Sequence, residues 1–204
     1  MPRRTKEEAA ITRENLLKAG LKVFSKKGYS STTLEDIARE AGVTRGAIYW
    51  HFGSKAELYI ALLNEYSGRS AGIVQAAAAE GGSLEQILRR VFVRLLVAVD
   101  TDPLLREVME ISLFKTERSP ELSAAMQGQQ AANQGLVASI AAAMQQGIAA
   151  GELRADLDPM EMARAFLALQ HGAITLWFQD TQSFSLGGSS PALAEIFLCG
   201  ITRR

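Results

Sequence analysis

The sequence predicts an all-helical protein, and three observations carry that prediction. Pro103, Pro120, Pro159 and Pro191 each follow Asp or Ser, the pattern of an N-cap with proline at the first helical position. Apolar residues recur at helical spacing, and alternating β-branched runs are absent. Capping pairs precede three apolar-periodic segments: Thr33 with Asp36, Ser54 with Glu57, and Ser83 with Gln86. The expectation is about nine helices, over roughly 6–27, 34–41, 45–51, 55–79, 84–99, 103–116, 120–150, 159–180 and 191–202. At 204 residues and 48% hydrophobic, the chain has ample core for one compact unit or a small domain fused to a larger one.

Taken in order, the first helix is capped by Thr5 with Glu8, ends at Gly28, and turns Leu16, Leu17, Gly20, Val23 and Phe24 inward. Thr33 caps the second, which puts Leu34, Ile37 and Ala38 on one face and Glu35, Asp36, Arg39 and Glu40 on the other. Gly42 stands where the helix must end in a left-handed conformation, and Val43 can plug the turn. Thr44 caps the third helix. Its Ile48 and Phe52 point back into a small core, which leaves Arg45, Gly46, Tyr49 and Trp50 facing outward.

Two short helices around a glycine-containing turn have the shape of a helix-turn-helix, whose second helix enters the major groove of DNA. Many all-helical proteins contain such a pair without touching DNA, so the neighbouring residues matter. Two exposed aromatics beside an arginine call for something to cover them. Lys55, in the first turn of a long helix, opposes the helix macrodipole but suits a phosphate at the helix N-terminus. Arg3, Arg4 and Lys6 make a basic arm upstream. The chain is formally neutral, yet it carries eleven Lys/Arg against six Asp/Glu through Lys55, and eleven against sixteen beyond it. The basic end coincides with the groove-reading helix.

Other function classes find little support. The two histidines, His51 and His171, lie too far apart for a metal-ligand spacing. The sequence has no phosphate-binding loop, no dinucleotide fingerprint and no nucleophile elbow, and Gly187-Gly188 lacks the flanking strand and lysine of a phosphate cradle. No cofactor, no metal and no enzymatic activity are expected. The lone Cys199 rules out an intrachain disulfide and reads as a small buried hydrophobe. The amino terminus is charged rather than apolar, and no run is long enough to span a bilayer, so no membrane partner and a cytoplasmic location are expected. Residues 183–190, rich in glycine and serine, read as a flexible loop.

Thr33 to Leu58 closely resembles the DNA-binding domain of TetR-family transcriptional regulators. The run from Gly42 to Phe52 is similar to the branch that represses multidrug efflux pumps. The resemblance is near-continuous over roughly the first 65 residues. Further on it is sparser, carried by Lys115-Thr116-Glu117, Gly151-Glu152-Leu153 and Gly172. It implies residues 1–55 as an arm and a three-helix DNA-binding domain, and 56–204 as a larger helical ligand-binding and dimerisation domain. It also implies that Thr44, Arg45 and Gly46 approach base edges, with Arg45 placed for guanine. Thr33, Tyr49, His51 and Lys55 would hold phosphates of double-stranded operator DNA, with Trp50 packed on the backbone. His51 could instead cap a free helix-end carbonyl.

The same resemblance implies a homodimer, since a two-fold operator requires a two-fold protein with reading helices about 34 Å apart. Ala163, Phe166, Ile174, Trp177, Phe178, Leu193, Ile196 and Phe197 are the candidates for the pairing face; the alternative is that they pack on their own core. A small hydrophobic or amphipathic ligand is expected inside the helical domain. Its candidate residues are Phe92, Leu95, Leu96, Met109, Ser112, Leu113, Phe114, Asn133, Leu136, Ile140, Leu167, Gln170 and His171. Apolar stripes of this kind are ordinarily core, so Asn133, Gln170 and His171 are the more telling members, because buried polar groups need partners. A regulator of a metabolic operon and a ligand-independent DNA-binding protein are the other readings.

Overall fold

The computed structural model of the 204-residue chain describes residues 6–117 and 120–202. Ten helices run in order through the described residues: α1 (Lys6–Ser31), α2 (Leu34–Ala41), α3 (Arg45–Phe52), α4 (Lys55–Ala79), α5 (Leu84–Thr101), α6 (Pro103–Phe114), α7 (Pro120–Ala125), α8 (Gln127–Ala149), α9 (Pro159–Gln179) and α10 (Leu186–Ile201). No strand is among them; one isolated antiparallel bridge joins Leu153 to Thr202. The segment expected as a single helix over 120–150 divides at Met126, which adds the tenth helix.

Capping chemistry explains most of the boundaries. Thr33 and Ser83 form complete capping boxes with Asp36 and Gln86. The Ser54 hydroxyl accepts from Glu57 N at 3.1 Å, one half of the expected box. Asp102 accepts from the N–H groups of Leu104 and Leu105, and Asp158 from Met160 and Glu161, so Pro103 and Pro159 do open helices. Thr5 and Ser119, two further caps read from the sequence, lie outside the described residues.

Three expectations fail in the C-terminal region. Residues 183–190 are not a loop throughout: α10 starts at Leu186, capped by the Ser185 hydroxyl accepting from Gly188 N. Pro191 therefore sits inside the helix rather than at its start. A proline there removes the donor that Gly187 O would receive, and Ser190 Oγ supplies a substitute at 2.7 Å. Cys199 is exposed rather than buried, with its thiol 3.0 Å from Glu195 Oε1.

The chain divides into two compact units. One holds the described residues of Met1–Ser67 and Glu107–Gln127, the other Gly68–Arg106 and those of Gly128–Arg204. In the first, the expected α1 stripe of Leu16, Leu17, Gly20, Val23 and Phe24 is buried. Phe24, Tyr29 and Tyr59 form a ring cluster with centroids 5.2–5.7 Å apart. Gly28, at φ 75°, kinks α1 so that Tyr29 N donates to Lys115 O at 2.9 Å. In the second unit, α10 packs along α5 and α9, and Phe166 meets both Phe92 and Phe197 edge-on. Gly151-Glu152-Leu153 has a structural role there. Glu152 accepts Leu84 N at 2.6 Å at the start of α5, and Leu153 is buried.

Candidate functional site

The reading helix is positioned by local rules that the sequence displays. The Thr33 cap starts α2, and Gly42 ends it at φ 66°, a conformation glycine adopts without a steric penalty. Ile37, Ala38, Ile48 and Phe52 are buried, so α3 can present only its opposite face. On that face Thr44, Arg45, Gly46, Tyr49 and Trp50 are exposed, Trp50 to 73%. Thr44 occupies the N-cap position, but its side chain makes no capping bond, contrary to expectation.

Arg45 is held against its own helix. Its guanidinium donates to Tyr49 Oη at 2.7 Å, lies 5.3 Å from the Tyr49 ring centroid and approaches Glu35 at 3.6 Å. Arg45, Tyr49 and Glu35 are all exposed, so these contacts exchange readily with water or another ligand. Beneath them, Asp36 ties the turn together. Lys27 at 2.8 Å, together with the Thr33 hydroxyl and N–H, pulls its carboxyl down to about 2.

Lys55, expected at a phosphate, has partners within the chain. Its ammonium donates to Tyr29 O and Thr32 O, both at 2.9 Å, reaches Ser30 O at 3.5 Å, and sits 4.4 Å from the Tyr29 ring centroid. The carbonyls at the end of α1 therefore hold the charge that the sequence offered to phosphate, and they account for a lysine opposed to its own helix dipole. His51 is half-buried, edge-on to Trp50 at 4.5 Å. It borders an open groove of about 610 Å³ with Arg13, Ser54, Glu57 and Asn64. Arg13, 5.2 Å from the Phe52 ring centroid, was not singled out in the sequence, because no local pattern links α1 to α3. Arg3 and Arg4 lie outside the described residues.

Residues 16–62 match the tetR family of bacterial regulatory proteins, and residues 84–201 match the C-terminal region of MAATS-type transcriptional repressors. The chain belongs to the TetR family. It is a DNA-binding regulator and not an enzyme. It is 36% identical over 193 residues to the transcriptional regulator TtgR of Pseudomonas putida, covering 92% of this chain and 90% of that one. Among solved structures it is similar to NalD, described as the secondary repressor of the MexAB-OprM multidrug efflux pump in Pseudomonas aeruginosa. That match has a TM-score of 0.87 and 28% identity, over 97% of this chain and 99% of NalD. It is also similar to the SmeT–triclosan complex, with a TM-score of 0.82 and 26% identity over 95% and 92% of the two chains. SmeT is described as the repressor of the Stenotrophomonas maltophilia multidrug efflux pump SmeDEF.

The remaining candidates of this TetR-family chain separate by burial. Of the residues proposed for pairing, Ala163, Phe166, Ile174, Trp177 and Phe197 are buried within the chain, and Phe178 and Leu193 are half-buried. Ile196 is 67% exposed, and Leu176, not singled out from the sequence, is 61% exposed. The correction has a simple cause: α9 and α10 are apolar on several faces, and the bulkiest residues went to the chain's own core. The spacing of Leu176 from the small residues Ala168 and Gly172 was the available signal.

Among the effector candidates, Phe92, Leu96 and Gln170 are buried in the second unit, and Leu95, Ile140 and Leu167 are half-buried there. Asn133, Leu136 and His171 are exposed, so His171 is neither core nor enclosed. Met109, Ser112, Leu113 and Phe114 fall in the first unit, Met109 buried and the others exposed. Gln170 Nε2 is buried with no hydrogen-bond partner. Such a group costs about 1–3 kcal/mol while it stays unpaired. Among the described residues no group of acidic, histidine or cysteine side chains could hold a metal, and no helix is long and apolar enough to cross a membrane.

Proposed function

We propose that this chain is a ligand-responsive repressor. It binds a palindromic operator as a homodimer in the cytoplasm, is released by small hydrophobic effectors, and controls a multidrug efflux system. The observation that carries the DNA half of this reading is the exposed face of α3. Arg45, Tyr49 and Trp50 stand together on a helix whose other face is locked inside. Arg45 leaves Tyr49 and Glu35 for a base edge, where a bidentate contact to guanine supplies specificity. Thr33, Thr44, Gly46, Tyr49 and His51 line the phosphates and the adjoining base edges, and Trp50 packs on the backbone. Lys55 is left to the end of α1.

The regulatory half is supported by the likeness to NalD and SmeT over nearly the whole chain, both described as repressors of multidrug efflux pumps. TetR regulators bind operator DNA as dimers, and Leu176 and Ile196 give α9 and α10 an exposed apolar face for a second copy. The end of α6 supplies a route from effector to DNA. Lys115 donates to Ser25 O at 2.9 Å, and Thr116 shares a 2.6 Å hydrogen bond with Tyr59. A displaced α6 would therefore pull on α1 and α4 directly. A coupling of about 1–3 kcal/mol is enough to change operator occupancy several-fold.

The test is fluorescence anisotropy on DNA from upstream of the protein's own gene, titrated with structurally unrelated amphipathic drugs. Release by several of them is the expected result. Sequence-specific binding that no drug disturbs would remove the efflux reading and keep DNA recognition.

A further inference from the structure

The groove of about 610 Å³ beside His51 is larger than any operator contact requires. Its lining comes from α1, α3, α4 and α7, all within the first unit. Ile60, Ala61, Ala124 and Ala125 give it an apolar surface of small side chains. Arg13, His51, Ser54, Glu57 and Asn64 give it a polar one. An apolar surface with a few polar groups around it is the composition of a small-molecule site.

The charged side chains on this groove, Arg13 and Glu57, are not equivalent. Glu57 stands in the first turn of α4, where the helix dipole favours a carboxylate. It is folded back onto the end of α3, so that a Cβ added at Gly53 would lie 2.8 Å from its Oε2. Arg13 has no such compensation. Its guanidinium lies 5.2 Å from the Phe52 ring centroid, a contact that uses none of its N–H donors. Among the described residues this exposed guanidinium forms no ion pair. Lys55, the nearest lysine in sequence, is held by the carbonyls at the end of α1. The groove therefore presents one uncompensated fork of donors, the geometry that binds a carboxylate through two parallel hydrogen bonds.

We propose that this groove is a second ligand site, on the DNA-binding unit itself, for a small aromatic carboxylate. The anion pairs with Arg13, and the ring lies on Ile60, Ala61, Ala124 and Ala125. A phosphodiester makes no use of that apolar lining, which favours a small molecule over DNA as the partner of Arg13. The bound anion places negative charge beside His51, which the operator reading gives to a phosphate, so occupancy weakens operator binding. That last step rests on the operator reading; the site itself does not.

Two probes of one shape test this, 2-naphthoate and its neutral amide 2-naphthamide, each titrated calorimetrically into the full-length protein. Naphthoate should bind about tenfold more tightly, the size of one charge-assisted hydrogen bond. Arg13→Gln should erase that preference. Ala124→Trp, which fills the groove from an exposed position on α7, should weaken both probes at least about tenfold. Its melting temperature should stay within a few degrees of the unaltered protein, which checks that it folds. In anisotropy, saturating naphthoate should lower operator affinity about fivefold in the unaltered protein and leave Ala124→Trp unaffected. Equal binding of the two probes overturns the proposal, as does no binding of either. So does naphthoate affinity that Ala124→Trp leaves intact, which would place the probe elsewhere in the chain. An Arg13→Gln variant that keeps the naphthoate preference but has a salt slope shallower by about 0.9 would assign the guanidinium to DNA instead. Operator binding without any probe tests the operator reading separately, so the two failures are distinguishable.

Discussion

Two exposed apolar surfaces of this molecule differ in what surrounds them. On α3, Trp50 and Tyr49 stand beside Arg45 at the basic end of the chain. On α9 and α10, Leu176 and Ile196 stand among Ala168, Gly172, Ala192 and Gly200, all exposed and without a basic residue between them. Rings beside a guanidinium fit a phosphate-lined groove, where base edges and sugars take the rings and oxygens take the charge. Aliphatic side chains between small residues fit the flat surface of another helix pair, which in a two-fold dimer is the same surface again. Exposure is common to both surfaces; the polar neighbours are what differ.

The largest expected effect sharpens the distinction within α9 itself. Phe166→Ala should lower stability by about 3–5 kcal/mol in urea melts, because Phe166 joins Phe92 and Phe197 in the chain's own core. A loss under about 1 kcal/mol, accompanied by dissociation, would return Phe166 to the pairing face. Next comes the pairing face proposed at Leu176 and Ile196. Leu176→Arg combined with Ile196→Arg should weaken dimerisation by about 2 kcal/mol or more, roughly 30-fold, in analytical ultracentrifugation, while the helical circular dichroism is retained. A dimer of unchanged affinity would break the comparison.

Arg45→Ala should cost specific DNA binding about 1–3 kcal/mol and relax base preference. Equal losses on operator and random DNA would reduce Arg45 to a phosphate contact. Lys55→Met should destabilise the protein by about 1 kcal/mol through the carbonyls at the end of α1. The salt dependence of operator binding should stay the same; a slope shallower by about 0.9 would restore Lys55 to phosphate.

The smallest effect concerns acid. Asp36, held at about 2, contributes stability that is present above the ordinary carboxyl value and is lost as pH falls through about 2. The advantage of the unaltered protein over Asp36→Asn should therefore be full at about pH 6 and shrink between roughly pH 4 and pH 2. A gap that ignores pH would show that the carboxylate charge contributes nothing to the turn.

How much could be read in advance follows the same division. Around α2 and α3, caps, a left-handed glycine and one wet face fix orientation locally. Ile48 and Phe52 fell inside and Trp50 outside as expected. In α9 and α10 the apolar residues wrap most of the helix, so periodicity gives no direction. Five of the eight residues proposed for pairing turned out to be core. The partners that Lys55 takes in the chain itself, Tyr29 O and Thr32 O, could not be read in advance because they are backbone atoms more than 20 positions away. Pro191 was misplaced because Ser190 Oγ replaces the missing donor, which permits a proline inside α10.

By itself, then, the sequence determined the helical class, the reading helix with its outward face, and the regulator family. Each depends on contacts spanning a few residues, where propensity, capping and periodicity act together. Only the tertiary structure decided which apolar faces bury each other, which carbonyls hold Lys55, and that Gln170 is enclosed without a partner. Those outcomes depend on competition among distant surfaces for the same apolar contacts and the same hydrogen-bond donors, and no local spacing encodes the winner.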